Sequence, residues 1–395
     1  MFKWTAIIIG ALAVIYYGLA WFVVPGALER PINRVLEHAP YQVSDMAMKL
    51  HERLTIADLH SDTLLWSRNV LDRADRGHVD VPRLVEGNVA LQVFSVVTKV
   101  PDGQNYAENA ADSDQITLAA IAQAWPVATW GSLLERALYQ ADKLAAAAQR
   151  KPDALKVIRS RTDLDALLAA RTDNPALVGG LLATEGSHPL EGEIANIDVL
   201  YDAGYRMFGL HHFFDNGLGG SLHGISGEGL SDFGRDVVKA AEARKIIIDV
   251  AHSSPNAVAD VLDMTTRPVV VSHTGVRGAC DSVRNLSDSL MQRIAARGGL
   301  IGIGYWEGAV CDISPAGVAR SIAYAVELVG EDHVALGSDY DGATQVAFDT
   351  SELAVLTDEL LKAGLPEQTI AKVMGGNLIR FLRANLPAET SAKGA

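Results

Sequence analysis

IIIDVAHSSPNAVADVLDMTTRPVVVSHTG, residues Ile246 to Gly275, is the stretch on which the fold turns. It opens on an aliphatic run that leads to His252, crosses a segment long enough for a helix, and enters a second aliphatic run that leads to His273. Strand, helix and parallel strand in that order make a βαβ unit. Working outward, similar runs occur at Thr55–Leu59, Val89–Val97, Ala176–Thr184, Tyr205–Leu210, Ile246–Val250, Pro268–Ser272, Leu300–Gly304 and His333–Gly337. Eight parallel strands are what a closed barrel of this kind requires. The predicted fold class is therefore α/β, a (β/α)₈ TIM barrel. Helical periodicity between Ala107 and Ala170 adds extra outer helices.

The chemistry gathers where such barrels keep it, at the carboxyl ends of strands, whose loops converge on one pocket. The first run leads to D-L-H-S-D, the third to T-E-G-S-H, the fifth to D-V-A-H-S-S, the sixth to V-S-H-T-G and the eighth to G-S-D-Y-D-G. His60 and Asp62 are two residues apart on a strand end, so their side chains share a face. Glu185 follows an apolar strand, where an unpartnered carboxylate would cost several kcal/mol. With His252 and His273 these groups make the N/O ligand set that zinc favours. Two ions need a bridge, and Glu185 has two oxygens to offer. The expectation is two zinc ions per chain, one on His60 and Asp62, the other on His252 and His273, with a bridging water or hydroxide.

The 395 residues carry 49% hydrophobic side chains and a formal charge of −14. The first figure is ample for a core. The second, with no basic stripe, excludes nucleic acid as a partner. Cys280 and Cys311 are the only cysteines. They fit one disulfide in an extracytoplasmic domain or two buried thiols equally well.

The amino terminus is different material. TAIIIGALAVIYYGLAWFVV, Thr5 to Val24, is uncharged over 20 residues and is followed by Pro25-Gly26, which predicts an uncleaved transmembrane helix. The expected domains are residues 1–28 as anchor, 29–54 as connector and helix, 55–386 as the metallohydrolase barrel and 387–395 as a disordered tail. A short amino end before the helix suits a single pass in a bacterial-type inner membrane, with the barrel in the periplasm or outside the cell.

ADLHSDTLLW, LLATEGSH, YRMFGLHHFFDN, IIIDVAHSS, VVVSHTGVR, RNLSD and VALGSDYDG, taken in order from about Ile56 to Leu378, resemble the renal or membrane dipeptidase family, peptidase family M19, among the amidohydrolase-like barrels. The resemblance implies a dinuclear zinc dipeptidase whose metal ligands fall on His60, Asp62, Glu185, His252 and His273. It also implies that His212 polarises the scissile carbonyl, that Arg284 grips the substrate's terminal carboxylate, and that Asp339 takes a proton from the bridging water and hands it to the leaving amine. His211 is then a structural neighbour, and Asp341 steadies the turn. The family tolerates a D-residue on the carboxyl side. In one departure, GYWEG puts Trp306 where the family often has an aromatic hydroxyl. Asp215 and Asn216 are further candidates, for the substrate's amine.

The partners expected are thus a dipeptide, the lipid bilayer and a second copy of the chain in a homodimer. Two other readings compete. A lactonase, phosphotriesterase or cyclic amide hydrolase on the same barrel would more often show His-x-His on the first strand. A non-catalytic zinc-stabilised membrane module would have no use for Asp339 or His212.

Overall fold

Valine, isoleucine and leucine fill the eight runs, and branched side chains pack on a pleated surface at little rotameric cost. The computed structural model, which describes residues 2–389, forms a strand at every one of them. They are β1 (Ile56–Ser61), β2 (Val89–Val97), β3 (Val178–Glu185), β4 (Tyr205–Gly209), β5 (Ile247–Asp249), β6 (Val270–Thr274), β7 (Leu300–Ile303) and β8 (Val334–Leu336). Neighbouring strands pair in parallel from β1 round to β8, and β8 returns to β1. The register from Leu91↔Gly179 to Val97↔Glu185 joins β2 to β3 and closes the barrel. One short extra strand, Leu155–Val157, adds to the outside of β3.

The outer helices start where serine starts them. Ser132, Ser160, Ser231, Ser254, Ser287 and Ser314 each precede a helix and accept a hydrogen bond from a backbone N–H of its first turn. Each such cap contributes about 1 kcal/mol over alanine. The insertion between β2 and β3 folds as expected, into helices Gln115–Ala122, Leu133–Arg150 and Arg161–Ala170. The largest core cluster joins strands to these and later helices through residues such as Phe94, Leu182, Phe208, Val258 and Ile322. A second cluster gathers Ala57, Leu91, Leu181, Met207, Ile247 and Val270 from six successive strands with Leu378 and Leu382 of the last helix.

The two ends of the chain depart from expectation. Phe2–Phe22 is one α-helix, followed by a separate helix, Val24–Glu29. Among the described residues, however, no helix is long and apolar enough to cross a membrane. The span expected over Thr5–Val24 includes Ala6, Ala20, Trp21 and Phe22, whose side chains lie outside the described residues. The connector does more than connect: Arg34–Val35 pairs in parallel with Gln345–Val346, beyond β8. Of the tail expected from residue 387, Pro387 and Ala388 accept hydrogen bonds from the backbone N–H groups of Arg161 and Thr162, and 390–395 lie outside the described residues. Cys280 and Cys311 form a disulfide with their Cα atoms 5.6 Å apart. It staples the loop after β6 to the loop after β7.

Candidate active site

Two buried aspartates that precede the proposed ligands shape the strand ends. The Asp58 carboxylate accepts from the backbone N–H of His60 at 2.9 Å, from Gln92 Nε2 at 3.2 Å and from the Ser338 hydroxyl at 3.0 Å. It thereby laces β1 to β2 and to the end of β8. Asp249 does the same between β5 and β6, accepting from Ala251 N at 3.0 Å and Ser272 N at 2.9 Å. A short carboxylate that bonds backbone two residues on is an Asx-type turn, and here it aims the chain at the histidine that follows. Sequence reasoning missed both residues, although D-L-H and D-V-A-H carry them openly.

His60, Asp62, Glu185, His252 and His273 do converge, all buried. Glu185, the last residue of β3, stands at the centre. Its Oε1 lies 3.1 Å from His252 Nε2, 3.4 Å from His273 Nε2 and 3.5 Å from His212 Nε2, while its Oε2 lies 3.6 Å from His60 Nε2. Asp62 Oδ2 is 3.6 Å and Asp339 Oδ1 3.9 Å from the same His60 nitrogen. Among the described residues the candidate metal-holding groups overlap: His60, Glu185 and His273; Glu185, His212 and His252; His60, Asp62 and Asp339. Two buried His/Glu clusters therefore share Glu185, the arrangement of a binuclear metal site.

The residues fit cations for reasons of charge and valence. His60 Nε2 and Asp62 Oδ1 are buried without a hydrogen-bond partner, a state that ordinarily costs 1–3 kcal/mol or more. His252 Nε2 and His273 Nε2 face each other at 2.9 Å, both beside Glu185 Oε1. The outer ring nitrogens of His60 and His273 both meet the Ser272 hydroxyl, at 3.1 and 2.9 Å, which turns the inner nitrogens toward the cluster. Burial and the neighbouring Glu185 push the Asp62 carboxyl up to about 7. Burial, with Asp62 and Glu185 beside it, drives Asp339 up as well. Burial would also raise Glu185, yet the imidazoles of His212 and His60 hold it well below the usual range. Three carboxylates crowd one buried pocket, and cations relieve that crowding.

The other expected residues fall into place around this centre. His212 faces Glu185, and its Nδ1 meets Lys99 O at 3.3 Å, whereas His211 turns away to the Ser253 hydroxyl at 2.9 Å. Arg284 is buried, with Nη2 3.2 Å from His273 O and its guanidinium over the Trp306 ring at 5.3 Å. Asn285 pins the Arg284 loop by donating to Cys280 O and Ala309 O at 2.9 and 2.8 Å. The disulfide fastens the same two loops. Asp341 accepts from Arg68 Nη2 at 2.5 Å, Thr63 Oγ1 at 2.8 Å and His78 N at 2.6 Å, so it does steady the turn. Asp215 and Asn216 do not reach the cleft. Asp215 is spent on the backbone N–H groups of Ser221, Ile225 and Ser226, and Asn216 on Leu210 O and Leu218 N.

Two features of the rim were not foreseen. Trp306 Nε1 donates to the Tyr106 hydroxyl at 2.9 Å. An aromatic hydroxyl thus stands at the place where β7 lacks one, supplied from 200 residues away along the chain. Backbone at φ near 60° recurs at His252, Asp339, Asp341 and Ala343. Side chains seldom adopt that region except where surrounding structure compels it. Asp62, Glu185, His212, His252, Arg284 and Asp339 all line one cavity of about 1120 Å³.

Comparison with known proteins is consistent with this geometry. Residues 44–393 match the family model described as membrane dipeptidase, peptidase family M19. Dipeptidase tcpJ of Claviceps purpurea is 27% identical over 331 residues, which cover 80% of this chain and 72% of that protein. The probable dipeptidase PvdM from Pseudomonas aeruginosa superposes with a TM-score of 0.70 at 20% identity, over 86% of this chain and 97% of that one. A metallo peptidase from Rhodobacter sphaeroides, solved with a phosphinate mimic of the dipeptide L-Ala-D-Ala, superposes with a TM-score of 0.67 at 22% identity, over 84% and 99%. At these identities the two structures speak to the fold.

Proposed function

The chain belongs to the membrane dipeptidase family, peptidase family M19, and is a metallo-dipeptidase; on that premise we propose that it hydrolyses dipeptides with two zinc ions held by His60, Asp62, Glu185, His252 and His273. The observation that supports this most directly is the split of Glu185, one oxygen toward His252 and His273 and the other toward His60. Bound zinc supplies Lewis acidity and water that ionises near neutral pH.

The side chains supply the rest. Arg284 offers a planar pair of donors to the substrate's terminal carboxylate. His212, with Nδ1–H held by Lys99 O, donates as imidazolium from Nε2–H to the carbonyl oxygen as negative charge builds on it. Asp339 accepts the proton of the attacking water and returns it to the leaving amine as the C–N bond breaks. The phosphinate mimic of L-Ala-D-Ala bound by the Rhodobacter sphaeroides neighbour supports a D-residue on the carboxyl side as acceptable here too.

The proposal extends to location. Bilayer contact through the amino-terminal helix, with the barrel in the periplasm, is supported by the exposed Ile7, Ile8, Ile9, Leu12 and Ile15 and by the disulfide, which an oxidising compartment sustains. Fractionation tests it: recovery of the protein in the cytoplasmic soluble fraction would exclude it. For the reaction, chelated protein is assayed on dipeptides, lactones and phosphotriesters before and after zinc is added back. Zinc-dependent turnover confined to dipeptides is expected. Turnover that survives verified removal of metal, or that favours a lactone, would overturn the reading.

A further inference from the structure

The cleft is roomier than a dipeptide needs. Its volume of about 1120 Å³ exceeds the roughly 300–1,000 Å³ typical of pockets for drug-sized ligands. Arg284 and Trp306 line the cleft beside His252 and His273. The same cavity is lined by Leu28, Ile32, Leu65, Ile116, Ala119 and Ala122, and Leu65 is tied to the Asp62 side by its N–H, which donates to Asp62 O at 3.0 Å. None of these six side chains has a polar atom. Two of them, Leu28 and Ile32, precede residue 44, where the family match begins.

The segment that carries Leu28 and Ile32 is built into the rim. Glu29 is fully buried and accepts from Arg68 Nε at 2.6 Å and Arg76 Nε at 2.8 Å. Asn33 Oδ1 accepts from Ala343 N at 2.9 Å, and Arg34–Val35 pairs with Gln345–Val346. Leu28 packs against the cluster of Leu65, Trp66, Val97 and Ile116. Ala343, Thr344 and Gln345 themselves line the cavity. A buried carboxylate between two guanidiniums does not wander, because leaving would strand the charges. The wall is therefore held at a fixed distance from the proposed metal centre.

We propose that residues 28–35 wall an apolar annex of the substrate cleft, and that this annex receives a large apolar side chain on the amino-terminal residue of the dipeptide. The orientation rests on the dipeptidase reading: with the terminal carboxylate at Arg284, the amino-terminal residue lies on the Asp62 and Asp339 side, facing the annex. A leucine- or phenylalanine-sized group displaces water from six apolar side chains, and a methyl group leaves them wet.

Calorimetric titration of the zinc-loaded full chain with two phosphinate dipeptide mimics, bearing methyl or benzyl at the amino-terminal position, tests this. The benzyl mimic is expected to bind at least about tenfold tighter, the scale of discrimination that apolar pockets reach. Ile32→Trp, at a position 37% exposed, fills the annex. Leu28→Ser makes its wall polar. Each is expected to bring the benzyl-to-methyl affinity ratio down toward one. An unmoved ratio in Ile32→Trp, or a wild-type ratio near one, overturns the annex even if dipeptides are hydrolysed. If the ratio behaves as expected and no dipeptide is cleaved, the annex stands and the reading of the reaction falls. Binding of neither mimic overturns both.

Discussion

Gly342→Ala is the sharpest test of the proposed acid–base residue that removes no functional side chain. A Cβ added at Gly342 would stand 2.2 Å from Asp339 Oδ1 and 2.7 Å from Asp62 Oδ2, against 3.4 Å for ordinary contact. The Asp339 carboxylate must therefore retreat by about 1.2 Å and that of Asp62 by about 0.7 Å. Neither can do so cheaply through its backbone. Asp339 O accepts from Thr344 Oγ1 at 2.8 Å, and Asp62 N donates to Tyr340 O at 2.9 Å. Misplacement of a reacting group by 1 Å costs about 100-fold in rate, equivalent to about 2.7 kcal/mol. The measurement is kcat/KM for L-Ala-D-Ala together with bound zinc by mass spectrometry. Gly131→Ala, where a Cβ meets nothing within 4 Å, serves as the control and should match wild type. A Gly342→Ala enzyme within threefold of wild type would refute both the proton role of Asp339 and the crowding described here.

Further expectations follow from single contacts. Asp339→Asn should lower kcat by about 10²–10⁴-fold with zinc content still near two per chain, and a fully active variant removes Asp339 from the mechanism. Arg284→Lys gives up the planar two-pronged donor. It should raise KM for free dipeptides while leaving C-terminally amidated ones unchanged, and equal effects on both would place the carboxylate elsewhere. Cys280→Ser with Cys311→Ser opens a loop of sequence separation 31 and should cost about 3–4 kcal/mol in urea unfolding, a loss that a reductant reproduces in wild type. His51 is buried, bonded to the Thr357 hydroxyl and Gly87 O, and burial pulls its imidazole down to about 4. Below pH 6.5 the unfolded chain binds this proton and the folded one does not. Stability should therefore fall by up to about 1.4 kcal/mol per pH unit, or about 3 kcal/mol by pH 4. His51→Gln should flatten that slope, and an unchanged slope would show that the imidazole is not responsible.

The barrel and its metal centre were legible because period and position say the same thing. Aliphatic runs that end in His60, Glu185, His252 and His273 leave few places for those groups except one mouth. What escaped reading acts through backbone or through distance along the chain. Asp58 and Asp249 bond amides and hydroxyls that no residue pattern marks. Tyr106 sits in an irregular loop, and nothing local ties it to Trp306. Glu29 looked like one charge among several in a mixed connector, since its burial depends on Arg68 and Arg76, which lie 39 and 47 residues on. The choice between His211 and His212 rested on the family resemblance alone, because adjacent residues differ only in which way the chain has turned.

The Glu29 clasp also sets a limit on how far the amino end can be trimmed. Trimming the chain at residue 23 would leave the clasp whole. Trimming seven residues further would strip Arg76 of its buried partner and leave Arg68 with Asp341 as its one carboxylate, and orphaning a buried charge in this way commonly costs 3–5 kcal/mol. Since Asp341 lies two places beyond Asp339, the damage would surface as lost turnover, and a truncated protein could be mistaken for one that never had the activity.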